Sequence, residues 1–173
     1  LLIAINLGSG PIADAFFVAF RIPNTFRRLF SEGTFNAAFI PSYSSELIKG
    51  KKESQNFANK IFNLLLVSLF SIILIIEIFM PGFIFIIAPG FNENFEKLDL
   101  TIYLTRITFP FLLFVSLSSF FSAILNSHNK FAAASATPII LNIILILVLL
   151  FGKFLADKLV YYISYAVTFA GLI

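Results

Sequence analysis

Long uninterrupted apolar runs dominate the chain, and short segments rich in Gly, Pro or charged residues separate them. About 20 apolar residues in a helix cross a bilayer core, whereas a membrane β-strand shows alternation over about ten residues. These runs are long and do not alternate, which favours helices. The pattern predicts helices over residues 1–7 (the end of a first span), 12–47, 57–88, 98–126, 131–151 and 156–173 (the start of a sixth span).

The composition supports a membrane protein. Of 173 residues, 59% are apolar and 12% charged, whereas a soluble domain carries roughly 25% charged residues. A water-soluble fold of this size could not cover so much apolar surface. The absence of Cys excludes disulfides and Cys-ligated metals, and a single His argues against a His-based metal site. The predicted fold class is therefore all-α, a polytopic transmembrane helix bundle forming one domain over residues 1–173, and we expect no cofactor.

Both ends of the chain lie inside apolar runs, and the first residue is not Met. Neither a basic n-region nor a small-residue cleavage site marks a signal peptide. We therefore expect the chain to be a piece of a longer membrane protein.

The charges between the helices predict an orientation. Cytoplasmic loops carry an excess of Lys and Arg, which places residues 48–60 and 126–130 in the cytoplasm. Residues 8–11, 89–98 and 152–158 are then outside, although Lys153 and Lys158 run against the rule in the last segment. The lysines that set the orientation are Lys49, Lys51, Lys52, Lys60 and Lys130.

The predicted helix 12–47 carries charge where charge is costly. A charge at mid-bilayer costs about 2.5–3.5 kcal/mol, so these side chains must face the bundle interior or a water-filled cavity. On a straight helix four of them fall within about 40° of one another, although Pro23 predicts a kink. The four are Asp14, Arg21, Arg28 and Glu32, and Arg27 lies off this face.

The charged residues of this helix suit an anionic ligand. A guanidinium matches phosphate in a bidentate manner and stays charged at any pH, and the carboxylates would hold the arginines in place. The alternative is a buried salt-bridge network that only fixes helix packing. Three arginines against two acids leave a surplus of positive charge, which favours a ligand. The candidate substrate-binding residues are Asp14, Arg21, Asn24, Arg27, Arg28 and Glu32.

Other polar residues within the spans have structural interpretations. Arg106 is placed to reach the outer interface with its long side chain, and Glu77 is interpreted as interfacial or internally paired rather than as an ion site. Asn142 is interpreted as a contact between helices. The chain shows no nucleotide-binding loop and no catalytic triad, and basic residues without a soluble face argue against nucleic acid.

Two stretches make the chain recognisable. Residues 13–24 (ADAFFVAFRIPN) and 26–33 (FRRLFSEG) closely resemble the MurJ/MviN family of lipid II flippases. The resemblance continues through the shorter motifs at residues 37–41, 88–91, 108–110 and 124–126. It implies an exporter-type bundle of two lobes around a cationic cavity, of which this chain is most of the N-terminal lobe. It assigns the important charges to Asp14 and Arg27, whereas the helical wheel favours Arg28.

The resemblance also implies a function and partners. The protein would translocate lipid II, an undecaprenyl diphosphate-linked disaccharide–peptide, across the bacterial cytoplasmic membrane by alternating access. Its partners would be this substrate, membrane lipids and the missing C-terminal lobe of the same chain. Three alternatives stay open: a drug or polysaccharide exporter of the same superfamily, a membrane enzyme acting on polyprenyl phosphates, and a scaffold subunit.

Overall fold

A computed structural model describes residues 2–8, 10–32, 34–91, 93–131, 136–152 and 158–172, except for the side chains of 2, 4, 26, 27, 29–32, 34 and 136–138. Within these ranges the secondary structure is helical, which confirms the predicted all-α fold class. The helices of the described residues are α1 (Leu2–Leu7), α2 (Pro11–Glu32), α3 (Thr34–Lys49), α4 (Lys51–Ile78), α5 (Met80–Ile87), α6 (Phe95–Thr108), α7 (Phe111–Ser127), α8 (Ala136–Leu150) and α9 (Leu159–Leu172).

The helix predicted over 12–47 is described as α2 and α3, on either side of residue 33, which lies outside the described residues. Two other predicted helices are divided in the structure. The one over 57–88 becomes α4 and α5, with the break at Phe79. The helix predicted over 98–126 is interrupted at Phe109 and Pro110. Proline explains the last two breaks, since it lacks an N–H and favours the first positions of a new helix. Pro81 lies at the start of α5, and Pro110 caps α7.

The prediction for the lysine-rich segment between α3 and α4 is also corrected. Residues 48–60 are predicted as a loop, but α3 ends at Lys49 and α4 begins at Lys51, so that Gly50 alone separates them. Gly50 has φ +147° and ψ 164°, a conformation that is essentially restricted to glycine. Phe39 of α3 packs on Phe57 of α4 with ring centroids 5.9 Å apart. The two helices therefore form a hairpin whose turn is one residue long.

Among the described residues, two helical stretches are long and apolar enough to cross a membrane. They are Lys51–Ile78 and Phe95–Ser127, the second of which runs through α6 and α7. The shorter apolar helices are Ile139–Leu150 and Leu159–Leu172.

Helix α2 lies at the centre of the packing. One apolar cluster joins its Ala15, Phe16 and Ala19 to α6, α7, α8 and α9. A second joins its Ile22 to α4, α5 and the Phe109–Leu112 region. The small side chains of Ala15 and Ala19 let the backbones of neighbouring helices approach α2 closely, as is common between membrane helices.

Helices α2, α6 and α9 run in the same direction. Asp14 of α2 pairs with Lys97 of α6, and further along the same helices Ala19 meets Thr108. Helix α9 runs in the same direction as α6, because Tyr161 packs on Tyr103 and, further along both helices, Thr168 donates to the carbonyl of Ile107. The three helices are therefore parallel.

Candidate functional site

One face of α2 is left uncovered by the other described helices. Ala15, Phe16 and Ala19 are fully buried, whereas Asp14, Arg21 and Arg28 are exposed. Residues seven apart on a helix lie nearly on the same face, so these three charges form one stripe, as the helical wheel predicts. A helix packed into two cores thus presents a charged wall on its remaining side.

The remaining candidate substrate-binding residues on α2 are Asn24, Arg27 and Glu32. Asn24, which follows Pro23, is half-buried. The side chains of Arg27 and Glu32 lie outside the described residues. The choice between Arg27, which the resemblance favours, and Arg28, which the helical wheel favours, stays a prediction.

The ion pair of Asp14 differs from the one expected. Asp14 is predicted to hold an arginine of its own helix, but its Oδ2 accepts from Lys97 Nζ at 2.6 Å. Arg21 lies seven residues further along α2, about 10 Å away along the axis, whereas Lys97 comes from the parallel helix α6. The Lys97 ammonium also lies 3.9 Å from the centre of the Phe91 ring. Sequence patterns could not find this pair, because the two residues are 83 positions apart.

Pro23 lies inside α2 without ending the helix. Proline has no N–H, so the carbonyl four residues earlier, that of Ala19, loses its usual helical partner. The hydroxyl of Thr108 on α6 donates to this carbonyl at 3.0 Å. Both residues are fully buried. Neighbouring Ser and Thr side chains commonly satisfy backbone groups that proline frees in membrane helices.

A second ionic contact lies away from the charged face of α2. Arg106 Nε of α6 is 4.0 Å from Glu77 Oε2 of α4, which agrees with internal pairing, one of the two interpretations given for Glu77. The other carboxylate oxygen, Oε1, is buried without a hydrogen-bond partner in the part of the chain that the structure describes. Thr108 faces α2, so Arg106, two residues earlier, points to the opposite side of α6.

Two further polar residues lie away from the charged face of α2. The ring nitrogen Nε2 of His128 lies 3.3 Å from the hydroxyl of Tyr43, which ties the end of α7 to α3. Asn142 is exposed on α8, so the described helices do not provide the interhelical partner expected for it. Among the described residues, no group of three His, Cys, Asp or Glu side chains is arranged to hold a metal ion.

Comparison with known proteins extends the resemblance. The family model described as "Lipid II flippase MurJ" matches residues 3–173. The probable lipid II flippase MurJ of Rickettsia prowazekii (strain Madrid E) is 44% identical over 172 residues, which cover 99% of this chain and 34% of that protein. The corresponding protein of Rhizobium tropici is 42% identical over 177 residues, covering 99% of this chain and 33% of that protein.

A solved structure shows the same fold. It is described as "Lipid II flippase MurJ, inward closed conformation", and it matches with a TM-score of 0.80 and 26% sequence identity. The match covers 99% of this chain and 35% of the solved one, so this chain spans about a third of the length of its relatives. Since the family model matches almost the whole chain, the protein belongs to the MurJ family of lipid II flippases, which implies a location in a membrane.

Proposed function

We propose that the protein is a flippase that translocates lipid II across the bacterial cytoplasmic membrane by alternating access. The substrate is an undecaprenyl diphosphate-linked disaccharide–peptide, and the protein acts as a transporter rather than an enzyme. The relatives that cover the chain are named as lipid II flippases, which does not favour the drug-exporter or polyprenyl-phosphate enzyme alternatives.

The observation that carries the proposal is the charged face of α2. At 1.5 Å per residue, Arg21 lies about 15 Å from the start of α2 at Pro11, about half the thickness of a bilayer core, and Arg28 lies about 26 Å from it, nearer the far side. A guanidinium at the depth of Arg21 cannot face hydrocarbon without large cost, and Arg28 lies on the same exposed face. The other sides of α2 are packed into apolar clusters. The arginines therefore face an aqueous cavity, where guanidinium groups bind the diphosphate of the lipid carrier.

The chain supplies one wall of this cavity. We place residues 1–173 in a single transmembrane domain that forms most of an N-terminal lobe, and the opposite wall comes from the C-terminal lobe of the longer protein. Rocking of the two lobes about the bound headgroup exposes it first to one side and then to the other. The membrane potential acts on the charged headgroup and on the cationic cavity, and is a suitable driving force.

Complementation tests the proposal. The full-length protein carries Arg27→Ala, Arg28→Ala or Asp14→Ala in cells depleted of their own flippase, and each variant is expected to reduce growth and lipid II translocation. Lys49→Ala is the matched control, since Lys49 is a surface cation paired with Glu46 at 2.6 Å. Normal translocation in all three variants would refute the site. Turnover of a polyprenyl diphosphate by the purified protein would favour the enzyme.

A further inference from the structure

We propose that Thr108 is a positioning residue for the arginines of α2, because its hydroxyl stabilises the helix at Pro23, which lies between Arg21 and Arg28 in the continuous α2. This inference rests on the proposed function, in which those arginines bind the diphosphate. Thr108 itself contacts the backbone of α2 and acts through it.

The hydrogen bonds of the buried threonines on α6 show how Thr108 differs from the other two. Three buried threonines follow one another on α6, and two of them bond within their own helix: Thr101 to the Lys97 carbonyl at 2.7 Å and Thr105 to the Thr101 carbonyl at 2.7 Å. Thr108 lies 3.3 Å from the Thr105 carbonyl but 3.0 Å from that of Ala19. The shorter of its two hydrogen bonds is therefore made to the neighbouring helix α2.

The carbonyl that Thr108 reaches is the one that Pro23 leaves without a helical donor. An unsatisfied carbonyl in a membrane interior costs several kcal/mol, and a hydroxyl from a neighbouring helix is one of the few groups that can remove this cost. The hydrogen bond thus allows α2 to keep a proline between the exposed Arg21 and Arg28.

Helix α6 is itself bonded to another helix next to Thr108. Thr168 of α9 donates to the carbonyl of Ile107, the residue immediately before Thr108. The three parallel helices α9, α6 and α2 are therefore linked in series by two side-chain-to-backbone bonds. The direction of the second half of α2, and with it the position of Arg28, is set relative to this linked group.

A double-mutant cycle in the full-length protein tests the proposal. Its variants are Thr108→Val, Pro23→Ala and the two combined. Thr105→Val is the matched control, since Thr105 is equally buried on the same helix but bonds within it, and Thr108→Ser tests rescue by a hydroxyl. The measurements are the thermal unfolding midpoint and the KM and kcat of lipid II translocation in vesicles.

Thr108→Val is expected to lower the midpoint by about 1 °C or less and to raise the KM about threefold, the average equilibrium effect of one interhelical hydrogen bond in a membrane protein. Thr108→Ser is expected to keep the midpoint and the KM of the unsubstituted protein. In the Pro23→Ala background Thr108→Val no longer lowers the midpoint, because the N–H of the new alanine bonds to the Ala19 carbonyl. Translocation stays impaired in the combined variant, because the proline that sets the course of α2 between Arg21 and Arg28 is lost.

Three results would overturn the proposal. The first is a Thr108→Val variant that matches Thr105→Val in midpoint and KM. The second is an equal loss of stability with and without Pro23. The third is full translocation by the combined variant, which would make the bond purely structural. If the unsubstituted protein does not translocate lipid II, the proposed function fails and the positioning role fails with it, while the midpoints still report the Thr108–Ala19 bond.

Discussion

The ammonium of Lys97 lies 2.6 Å from the carboxylate of Asp14 and joins the first turn of α2 to the first turn of α6. Asp14 also lies near the N-terminus of α2, where a negative charge interacts favourably with the helix dipole. The pair is partly exposed, with 56% of the Asp14 side chain and 17% of the Lys97 side chain accessible. Asp14, which the resemblance marks as important, thus links the first turns of two parallel helices.

Charge reversal tests this pairing. Asp14→Lys and Lys97→Asp each destabilise the protein, and we expect the combined variant to recover part of the loss. The change is below about 1 kcal/mol, since exposed ion pairs contribute little. Recovery stays partial, because Lys97→Asp also removes the contact with the Phe91 ring. Thermal unfolding measures the three variants, and a combined variant less stable than both single ones would contradict the pairing.

Gly50 is expected to be required for the α3–α4 hairpin. Its φ of +147° is unfavourable for any side chain, and a Cβ there would lie 2.5 Å from Glu53 Oε2. Gly50→Ala should therefore destabilise the protein by about 1–3 kcal/mol, measured as a lower unfolding midpoint. Gly90→Ala is the control, because a Cβ at Gly90 meets nothing within 4 Å. Equal midpoints for the two variants would show that the hairpin tolerates another turn.

Gly171 marks a close approach between α9 and α7. A Cβ at this position would lie 2.7 Å from Phe111 Cδ2 and 2.9 Å from Phe114 Cβ. Gly171→Ala should cost about 1–3 kcal/mol through overpacking, again seen in the unfolding midpoint. Gly82→Ala provides the comparison, since Gly82 lies in α5 with open space around it. A Gly171→Ala variant as stable as Gly82→Ala would be inconsistent with this packing.

The Glu77–Arg106 contact predicts a separation of stability from transport. Removing the guanidinium with Arg106→Gln leaves a carboxylate with one buried, unpartnered oxygen, whereas the additional change Glu77→Gln removes that charge. We expect the combined variant to be more stable than Arg106→Gln alone by about 1 kcal/mol. Both should retain the KM for lipid II, because Arg106 points away from α2. A raised KM would place the pair in the substrate path.

Much of the fold follows from local features of the sequence. The apolar runs locate the membrane helices, because bilayer thickness fixes their length. The stripe of Asp14, Arg21 and Arg28 follows from helical periodicity alone. These features depend on neighbouring residues, so a sequence displays them directly.

The remaining features depend on which helices are neighbours. Pro81 and Pro110 lie at helix breaks, whereas Pro23 lies within a continuous α2. The continuity of α2 at Pro23 is consistent with the hydroxyl of Thr108, which α6 supplies to the carbonyl that the proline frees. The partners Lys97 and Thr108 lie 83 and 89 positions from the α2 residues they contact. No local pattern predicts such contacts.

The binding of lipid II to the purified full-length protein shows whether the arginines of α2 bind the substrate. Arg27→Ala and Arg28→Ala are each expected to weaken binding about tenfold or more, the effect of losing a charge-assisted hydrogen bond. Lys49→Ala, which removes a cation outside the charged face of α2, should bind like the unsubstituted protein. Equal affinity for lipid II in all four proteins would contradict the claim that the arginines of α2 bind the substrate.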